Sequence, residues 1–476
     1  MNIHIEEAID SFRVNATRYA KSERYYGGNH DLAFATDKFR NAFGSLFREF
    51  ALNLCPAVCE AVRDKLRVVG FGVDGVGADV GVGTQAASLR VSEEQASSLR
   101  SDIGRIWNAN RMRIRSGEVH KEALICGDAY MIVWPDAAGN AVMYPNRAAS
   151  VTVTYDDEQP GKIIRAAKYW RGVDKRIRLN LFFPDRIEKY ISKETSEGSL
   201  VVAAEFVPVG TQAVSLRVPE KGAAGRNADS QAGSLRSGGE RSGVISNPYG
   251  VVPVFHFANN AGIGAFGRSE LDAAIPIQDG LNKSMLDMLV AMEYSAFRQR
   301  WAAGIEVEID NDGKVVPPFT AGVDHLWISQ NADATFGDFA TANLEQFLKV
   351  KDSFRGDIAS VTGTPLHYFM QSQTRNIASG EALRKAETRF IAKVRDRQES
   401  FGQIWADAMQ FALTIEGKGR GVQLITDWED PAPMSDKEFL ENILLKKQIG
   451  LPVEQALIEA GYGEADVKGM VSRSAE

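Results

Sequence analysis

Cysteine is nearly missing from this chain: Cys55, Cys59 and Cys126 are all that occur in 476 residues. An odd and sparse set argues against a disulfide framework and fits a reducing compartment. Long apolar runs are missing too. No stretch of about 18 apolar residues occurs, so no membrane span is expected. The opening, MNIHIEEAIDSFRV, places acids where a signal peptide has a basic stretch and an apolar core. The protein is therefore expected in the cytosol, at least when made. An excess of basic residues is also lacking. Lys and Arg number 55 against 62 Asp and Glu, a formal charge of −7. Proteins that grip DNA tightly carry a basic stripe, so firm phosphate binding over a large surface is disfavoured.

Catalytic and ligand-binding signatures are equally scarce. There is no G-x-x-x-x-G-K-[ST] phosphate loop and no G-x-S-x-G turn. The six histidines, His4, His30, His120, His256, His325 and His367, form no i, i+4 pair and have no cysteine beside them. Nothing local supports a metal site. Gly70, Gly72 and Gly75 do spell G-x-G-x-x-G. A dinucleotide site needs the third glycine to open a helix, and VGADVGVG is too glycine-rich for that. A plain connection is the better reading. EIDNDG (Glu308–Gly313) starts like a calcium loop, but its twelfth position is Phe319 instead of Glu. Asp312-Gly313 then reads as a hairpin turn. No pair of acids stands out as general acid and base. No catalytic residue, metal or cofactor is assigned.

What is present is enough apolar residue, 44%, for real cores, in a chain long enough for two or three domains. The first 60 or so residues read as helices. In NLCPAVCEAVRDKLRVV, Pro56 suits a helix start, and Val58, Val62 and Leu66 share a face. DIGRIWNANRMRIRSGEVHKEALICG reads as another helical stretch. AYMIVWPDAAGNAVMYP reads as a hairpin, and SVTVTY, IRAAKYWR, RIRLNLFF and RIEKYIS as strands. The fold class is α+β to about residue 265.

Within that part Q-A-x-S-L-R recurs at Gln85–Arg90, Gln95–Arg100, Gln212–Arg217 and Gln231–Arg236. Stacked repeats need a fixed period, and these intervals are irregular. They read as insertions in two surface loops, about 74–100 and 208–244.

The second half is helical. Leu281, Met285, Met288, Leu289, Met292 and Ala296 fall at helical spacing, and Pro276 should start or kink that helix. The methionines are a packing stripe. GIEVEIDNDGKVVPPF reads as a strand pair. ANLEQFLKVKDSFRGDIASVTG is helical, with Leu344, Phe347, Leu348, Phe354 and Ile358 on one stripe. The longest helix runs from Ser379, a candidate N-cap, to Ile415, about 50 Å. Gly417 and Gly419 end it. Its stripe includes Phe390, Val394, Phe401, Trp405 and Ala408. A strand, GVQLITDW, and two short helices follow. Between the two long helices lies a polar segment with one arginine: Gln371, Ser372, Gln373, Thr374, Arg375, Asn376 and Ile377.

The ordered set RYYGG (24–28), DKLRVVGF (64–71), IWNAN (106–110), HKEALICGDAYMIVWPD (120–136) and NPYGVVPVFHFANN (247–260) resembles tailed-bacteriophage portal proteins of the Gp6-like type. GRSELDAAIPIQDGLNKSMLDMLVAMEYSAFRQRW (267–301) and SGEALRKAETRF (379–390) extend the likeness over most of residues 20–430. The Q-A-x-S-L-R loops depart from it. The resemblance implies a portal fold: a wing (1–265), a stem helix (266–300), a clip (301–341) and a second stem helix (342–361). It further implies a tunnel loop (362–379), a long wing helix with a returning strand (380–433), and a short crown (434–476). It implies a ring, usually of about twelve subunits, at one capsid vertex. That ring would be a channel for DNA packaging and ejection, with residues 371–377 facing double-stranded DNA without reading its sequence. Implied partners are the terminase large subunit, major capsid protein, scaffolding protein and head-tail connector. Localisation would be the virion, and the host cytoplasm during assembly. Two other readings stand beside it: a nucleotide-binding enzyme using the segment near Gly70, and another virion structural or adaptor protein.

Overall fold

The computed structural model describes residues 2–73, 93–196, 200–209, 243–296, 300–305, 331, 333–338, 344–370, 380–418, 422–432, 436–459 and 467. In chain order the elements are α1 (Ile3–Tyr26), α2 (Asp37–Phe50), α3 (Cys55–Arg63), β1 (Val68–Val73), α4 (Glu93–Ala109) and α5 (Met112–Cys126). Strands follow: β2 (Asp128–Pro135), β3 (Ala141–Asn146), β4 (Val151–Tyr155), β5 (Ile163–Arg171), β6 (Arg176–Phe182), β7 (Arg186–Thr195), β8 (Phe206–Pro208), β9 (Val244–Ser246) and β10 (Val254–Ala258). Then come α6 (Ile275–Ala296), β11 (Arg300–Ala303), β12 (Thr335–Asp338), α7 (Glu345–Thr362), α8 (Gly380–Ile415), β13 (Leu424–Trp428), α9 (Asp436–Gln448) and α10 (Val453–Glu459). The fold is mixed helix and sheet, as its patterning predicts.

Most expected elements form where the periodicity puts them. β2 and β3 pair as the expected hairpin, with Ile132 opposite Tyr144. The long helix α8 spans 36 residues. Gly417 takes φ 74° after it, and the Lys418 N–H donates to the Leu413 carbonyl, a left-handed helix end. Three expectations change. The insertion drawn at 74–100 stops short, because Glu93 already opens α4. The Gln95–Arg100 repeat is therefore helical, with Ala96 and Leu99 buried. The stretch 102–127 is two helices, since Arg111 adopts φ 56° and breaks it. The helix expected from 266 begins at Ile275 as α6, with Pro276 in the first turn, where its missing N–H costs little. The strand pair expected at 305–319 and most of the 208–244 insertion lie outside the described residues.

Two sheets stack at the centre. One has the order β10-β2-β3; the other runs β4-β5-β6-β7-β8, with β9 also on β7. β2 is buried on both faces. Tyr130 and Ile132 join a cluster with Val151, Val153, Ala166 and Phe182 of the larger sheet. Ala129, Met131 and Val133 face the opposite way, into the main core with α5 and α8. That period of two with both faces apolar explains the unbroken run AYMIV. On the far side of the larger sheet, Ile5, Ala8, Ile9 and Phe12 of α1 cover Ala167, Ile177, Leu179 and Leu181. The layers are thus helix, sheet, sheet, helices.

Asp128 ties these layers together. It is fully buried. Its carboxylate accepts from Arg18 Nη2 (2.7 Å) and Tyr19 Oη (2.7 Å) on α1, His256 Nε2 (2.7 Å) on β10 and the Gly267 N–H (2.7 Å). Burial pushes its pKa up, but the bonds from His256 and Tyr19 reverse this and hold it below the usual carboxylate range. Beside it Gly127 and Gly267 cross so closely that a Cβ on Gly267 would lie 1.9 Å from the Gly127 carbonyl oxygen.

His120 seals the other side of the core. Its Nδ1 donates to the Leu66 carbonyl (3.1 Å), and its Nε2 accepts from Trp405 Nε1 (2.8 Å) on α8. Both nitrogens are satisfied in the neutral ring, and burial lowers its pKa to about 3. The start of α6 is polar yet buried. Gln278 bonds the Leu52 carbonyl (2.7 Å) and the Leu54 N–H (3.0 Å), Tyr25 donates to Asp279 (2.9 Å), and Asn282 donates to His30 (2.7 Å).

Two outcomes follow for stability. Asp128→Ala leaves a guanidinium and three further donors without their acceptor, and is expected to cost about 3–5 kcal/mol in a urea melt. His120 contributes its full share above the unfolded imidazole value of 6.5 and loses it as pH falls towards about 3, because the unfolded ring takes a proton that the folded ring refuses. Between about pH 7 and pH 4 the urea midpoint should fall less steeply in His120→Gln than in the parent.

Candidate functional site

The polar segment expected to carry function joins α7 to α8. Residues Gln371, Ser372, Gln373, Thr374, Arg375, Asn376 and Ile377 lie outside the described residues, as does the expected N-cap Ser379. The structure fixes what flanks them. α7 ends where Thr362 Oγ1 donates back to the Ile358 carbonyl (2.7 Å) and Gly363 turns to φ 65°. A short 3-10 turn, Leu366–Tyr368, follows. Phe369 is buried, and the Tyr368 ring rests on Phe390 of α8 at 5.6 Å. His367 Nε2 lies 3.3 Å from Glu387 on α8. Lys393 Nζ of α8 donates to the Thr362 carbonyl at 2.8 Å.

That lysine belongs to a buried ion cluster. Glu270, just ahead of α6, meets Lys393 Nζ at 2.5 Å and Arg397 Nη2 at 3.1 Å, and accepts from Asn259 Nδ2 at 3.1 Å. Burial raises the Glu270 pKa, but Lys393 and then Arg397 reverse this and hold it below the usual range. α6, the end of α7 and the middle of α8 are thereby clamped at one point. Lys393 lies about 20 Å along α8 from its start at Gly380, so the clamp holds the end of α7 against the body of α8. Sequence patterning missed this clamp, because charged residues on helices read as solvated; the signal was Lys393 and Arg397 four apart on a helix otherwise striped with apolar residues. The described first turns of α8 also expose Arg384, Lys385 and Arg389, basic residues next to the polar segment that the sequence reading left out. A groove of about 840 Å³ runs along this face, lined by Lys65, Arg384, Glu387, Thr388, Arg395 and Asp396 among others. It alternates acids and bases and offers no converging set of catalytic groups.

Elsewhere the arrangement of polar groups is structural. Tyr155 Oη, His256 and Asp128 form a relay of 2.6 and 2.7 Å bonds, but His256 and Asp128 are sealed from solvent, so no substrate reaches them. Gly70 and Gly72 lie within β1, paired to Thr426, Ile425 and their neighbours on β13. A Cβ on either would meet the Asp427 carboxylate at 3.5–3.6 Å. Within the described residues this is strand packing; Gly75 and the stretch after β1 lie outside them. Glu23, Glu122 and Cys126 bring possible ligand atoms within 4.8 Å of one another. Arg147 lies 2.5 Å from Glu23 and 3.9 Å from Glu122, so a guanidinium already holds the place of a cation. Burial keeps the Cys126 thiol protonated, which suits a metal poorly.

Two curated portal proteins align at 28% identity. That of Mycobacterium phage L5 matches over 246 residues, 48% of this chain and 50% of that protein. That of Mycobacterium phage D29 matches over 254 residues, 50% of this chain and 52% of that protein. The aligned part thus spans about half the length of these relatives. A solved chain described as the neck of an empty GTA particle, computed with C6 symmetry, is a more distant likeness. It has TM-score 0.44 and 12% identity, over 89% of this chain and 92% of that one. The family described as phage portal protein, SPP1 Gp6-like, matches residues 86–474. That span takes in the sheets, the α6–α7 pair, the clamp and α8, and the chain belongs to this family of phage portal proteins.

Proposed function

We propose that this chain is the subunit of a ring of about twelve copies at one capsid vertex, through which double-stranded DNA is packaged and ejected. The observation that carries the reading is the family match across residues 86–474, joined to the polar segment 371–377 between α7 and α8. In this reading residues 1–265 with β13 form the wing, α6 and α7 the stem, 301–341 the clip, 362–379 the tunnel loop and 434–476 the crown. The terminase large subunit docks on the clip. The major capsid protein, scaffolding protein and head-tail connector bind the outside of the ring.

Physical features of the chain support this. A closed ring needs two different faces on each subunit, and the stem leaves apolar residues open: Met292, Leu348 and Val350 are exposed, with Trp301 and Phe336 beyond them. Such patches mark protein contacts. α6 and α7 pack tightly enough that the Phe354 ring would lie 3.0 Å from a Cβ on Gly280. A conduit must not hold its cargo, because dense basic contacts bind DNA with large, salt-dependent affinity. Amides and hydroxyls with one arginine per subunit touch phosphate lightly and read no sequence.

In phage carrying Arg375→Glu, ring and procapsid formation should be normal while DNA packaging or retention falls, and by more than in Arg375→Ala, since each added acid repels phosphate in a narrow tunnel. Normal packaging in Arg375→Glu would remove the DNA role of this residue. If 371–377 were ordinary surface, both changes would stay within about 0.5 kcal/mol and leave packaging untouched. The purified protein should turn over no ATP, the energy of packaging coming from a separate terminase. Turnover that Gly72→Val abolishes would favour the enzyme reading instead.

A further inference from the structure

The first turn of α5 breaks the rules of helix design. Arg111, its N-cap residue, has φ 56° and provides no side-chain cap. Arg113 follows in the first turn and Arg115 just beyond. Positive charge at a helix N-terminus opposes the macrodipole, and a non-glycine residue in the left-handed region is strained. Among the described residues none of these three side chains makes an ion pair or hydrogen bond. Glu118, one turn on from Arg115, is exposed and forms no ion pair with it. Arg111 and Arg113 are exposed and Arg115 half-buried. The bonds of Asn110 to the hairpin account for the turn at Arg111, but the positive charge at this helix start is not offset within the subunit, which points to a partner outside it.

The opposite charge sits on the other sheet, at the β4–β5 turn. The β4–β5 turn carries Asp156, Asp157 and Glu158. Asp156 has Lys162 at 3.7 Å. Asp157 and Glu158 are exposed, and their carboxylates have no partner among the described residues. Placement follows from the bonds. Asn110, just before α5, bonds the Ala141 carbonyl (3.0 Å) and the Met143 N–H (2.9 Å), so α5 starts at the β2–β3 hairpin end. α5 then runs back along β2 to Gly127 and Asp128. Tyr155, one residue before the acidic turn, bonds His256, which bonds Asp128. The 15 residues of α5 therefore separate the two patches by about 22 Å.

We propose that Arg111, Arg113 and Arg115 of one subunit dock on Asp157 and Glu158 of a second copy of this chain, as a head-to-tail contact between wings. This rests on the ring reading. Two complementary patches at opposite ends of one subunit are what a closed heterologous ring requires. A twofold dimer could also set arginines against acids, twice over and reciprocally, so ring and dimer are told apart by whether assembly stops at two copies. The contact steers encounter and fixes register more than it adds affinity, as surface charges do.

The test uses the full chain. Arg113→Glu with Arg115→Glu, Asp157→Lys with Glu158→Lys, and all four together are compared with the parent by sedimentation over a range of protein and salt concentrations. Circular dichroism and urea melts verify folding. Each reversed pair should raise the concentration for half-assembly by about tenfold or more, the scale of a like-charge contact. The four-fold variant should return to near the parent value. Reversed pairs that assemble like the parent overturn the proposal, as does a folded four-fold variant that fails to recover. Where reversal prevents folding, Arg113→Gln with Arg115→Gln must weaken assembly and flatten its salt dependence, and an unchanged salt slope overturns the contact. Duplex DNA binding that the arginine reversal abolishes while assembly is unchanged would assign these arginines to phosphate and equally overturn it. A parent chain that forms no ring at all would sink the ring reading itself, whereas an intact ring with insensitive variants sinks only this contact.

Discussion

A carboxylate removed from water must be fully bonded or it destabilises everything around it. Asp128 meets that condition with four donors drawn from three separate parts of the chain: α1, β10 and the turn at Gly267. The two layers of sheet, the N-terminal helix and the entry to α6 are therefore not free to shift independently. The Gly127–Gly267 crossing makes this possible, since only residues without Cβ let the two backbones come close enough for the Gly267 N–H to reach the carboxylate. His256 is held between Asp128 and Tyr155, which extends the same constraint to the second sheet.

From that anchor the chain passes to a second buried charge only three residues later. Glu270 gathers Lys393 and Arg397 of α8, and Lys393 in turn holds the end of α7. Two buried acids thus relay position from the sheets to the helices. The consequence for function is geometric. A segment that is to meet a moving polymer needs no binding pocket. It needs ends that do not move, so that its contacts are set by the ring and not by its own excursions. The clamp fixes the end of α7 against the middle of α8, and Tyr368 on Phe390 holds the turn between them.

Charge is distributed in keeping with such a role. The buried ions are locked in pairs and carry structure. The polar segment itself has a single arginine, while Arg111, Arg113 and Arg115 at the start of α5 are kept apart from Asp157 and Glu158 at the β4–β5 turn.

The sequence alone determined the elements whose signal is local: the β2–β3 hairpin from its alternation and Asp136–Asn140 turn, α8 from its long apolar stripe, the glycine that ends it, and the family likeness from the order of short motifs. It also located the polar segment at 371–377 by its lack of any period. Tertiary structure alone decided the rest. Whether Gly70 and Gly72 cradle a phosphate or pack under a strand depends on β13, which lies some 350 residues away in the chain. Whether the Gln95 repeat is loop or helix depends on a core that takes up Ala96 and Leu99. Asp128, Glu270, His120 and the polar start of α6 looked like ordinary surface residues, because a charge declares itself buried only through partners distant in sequence. The break at Arg111 was hidden for the same reason: propensity rates arginine a good helix former, and only the hairpin that Asn110 must reach turns the chain there.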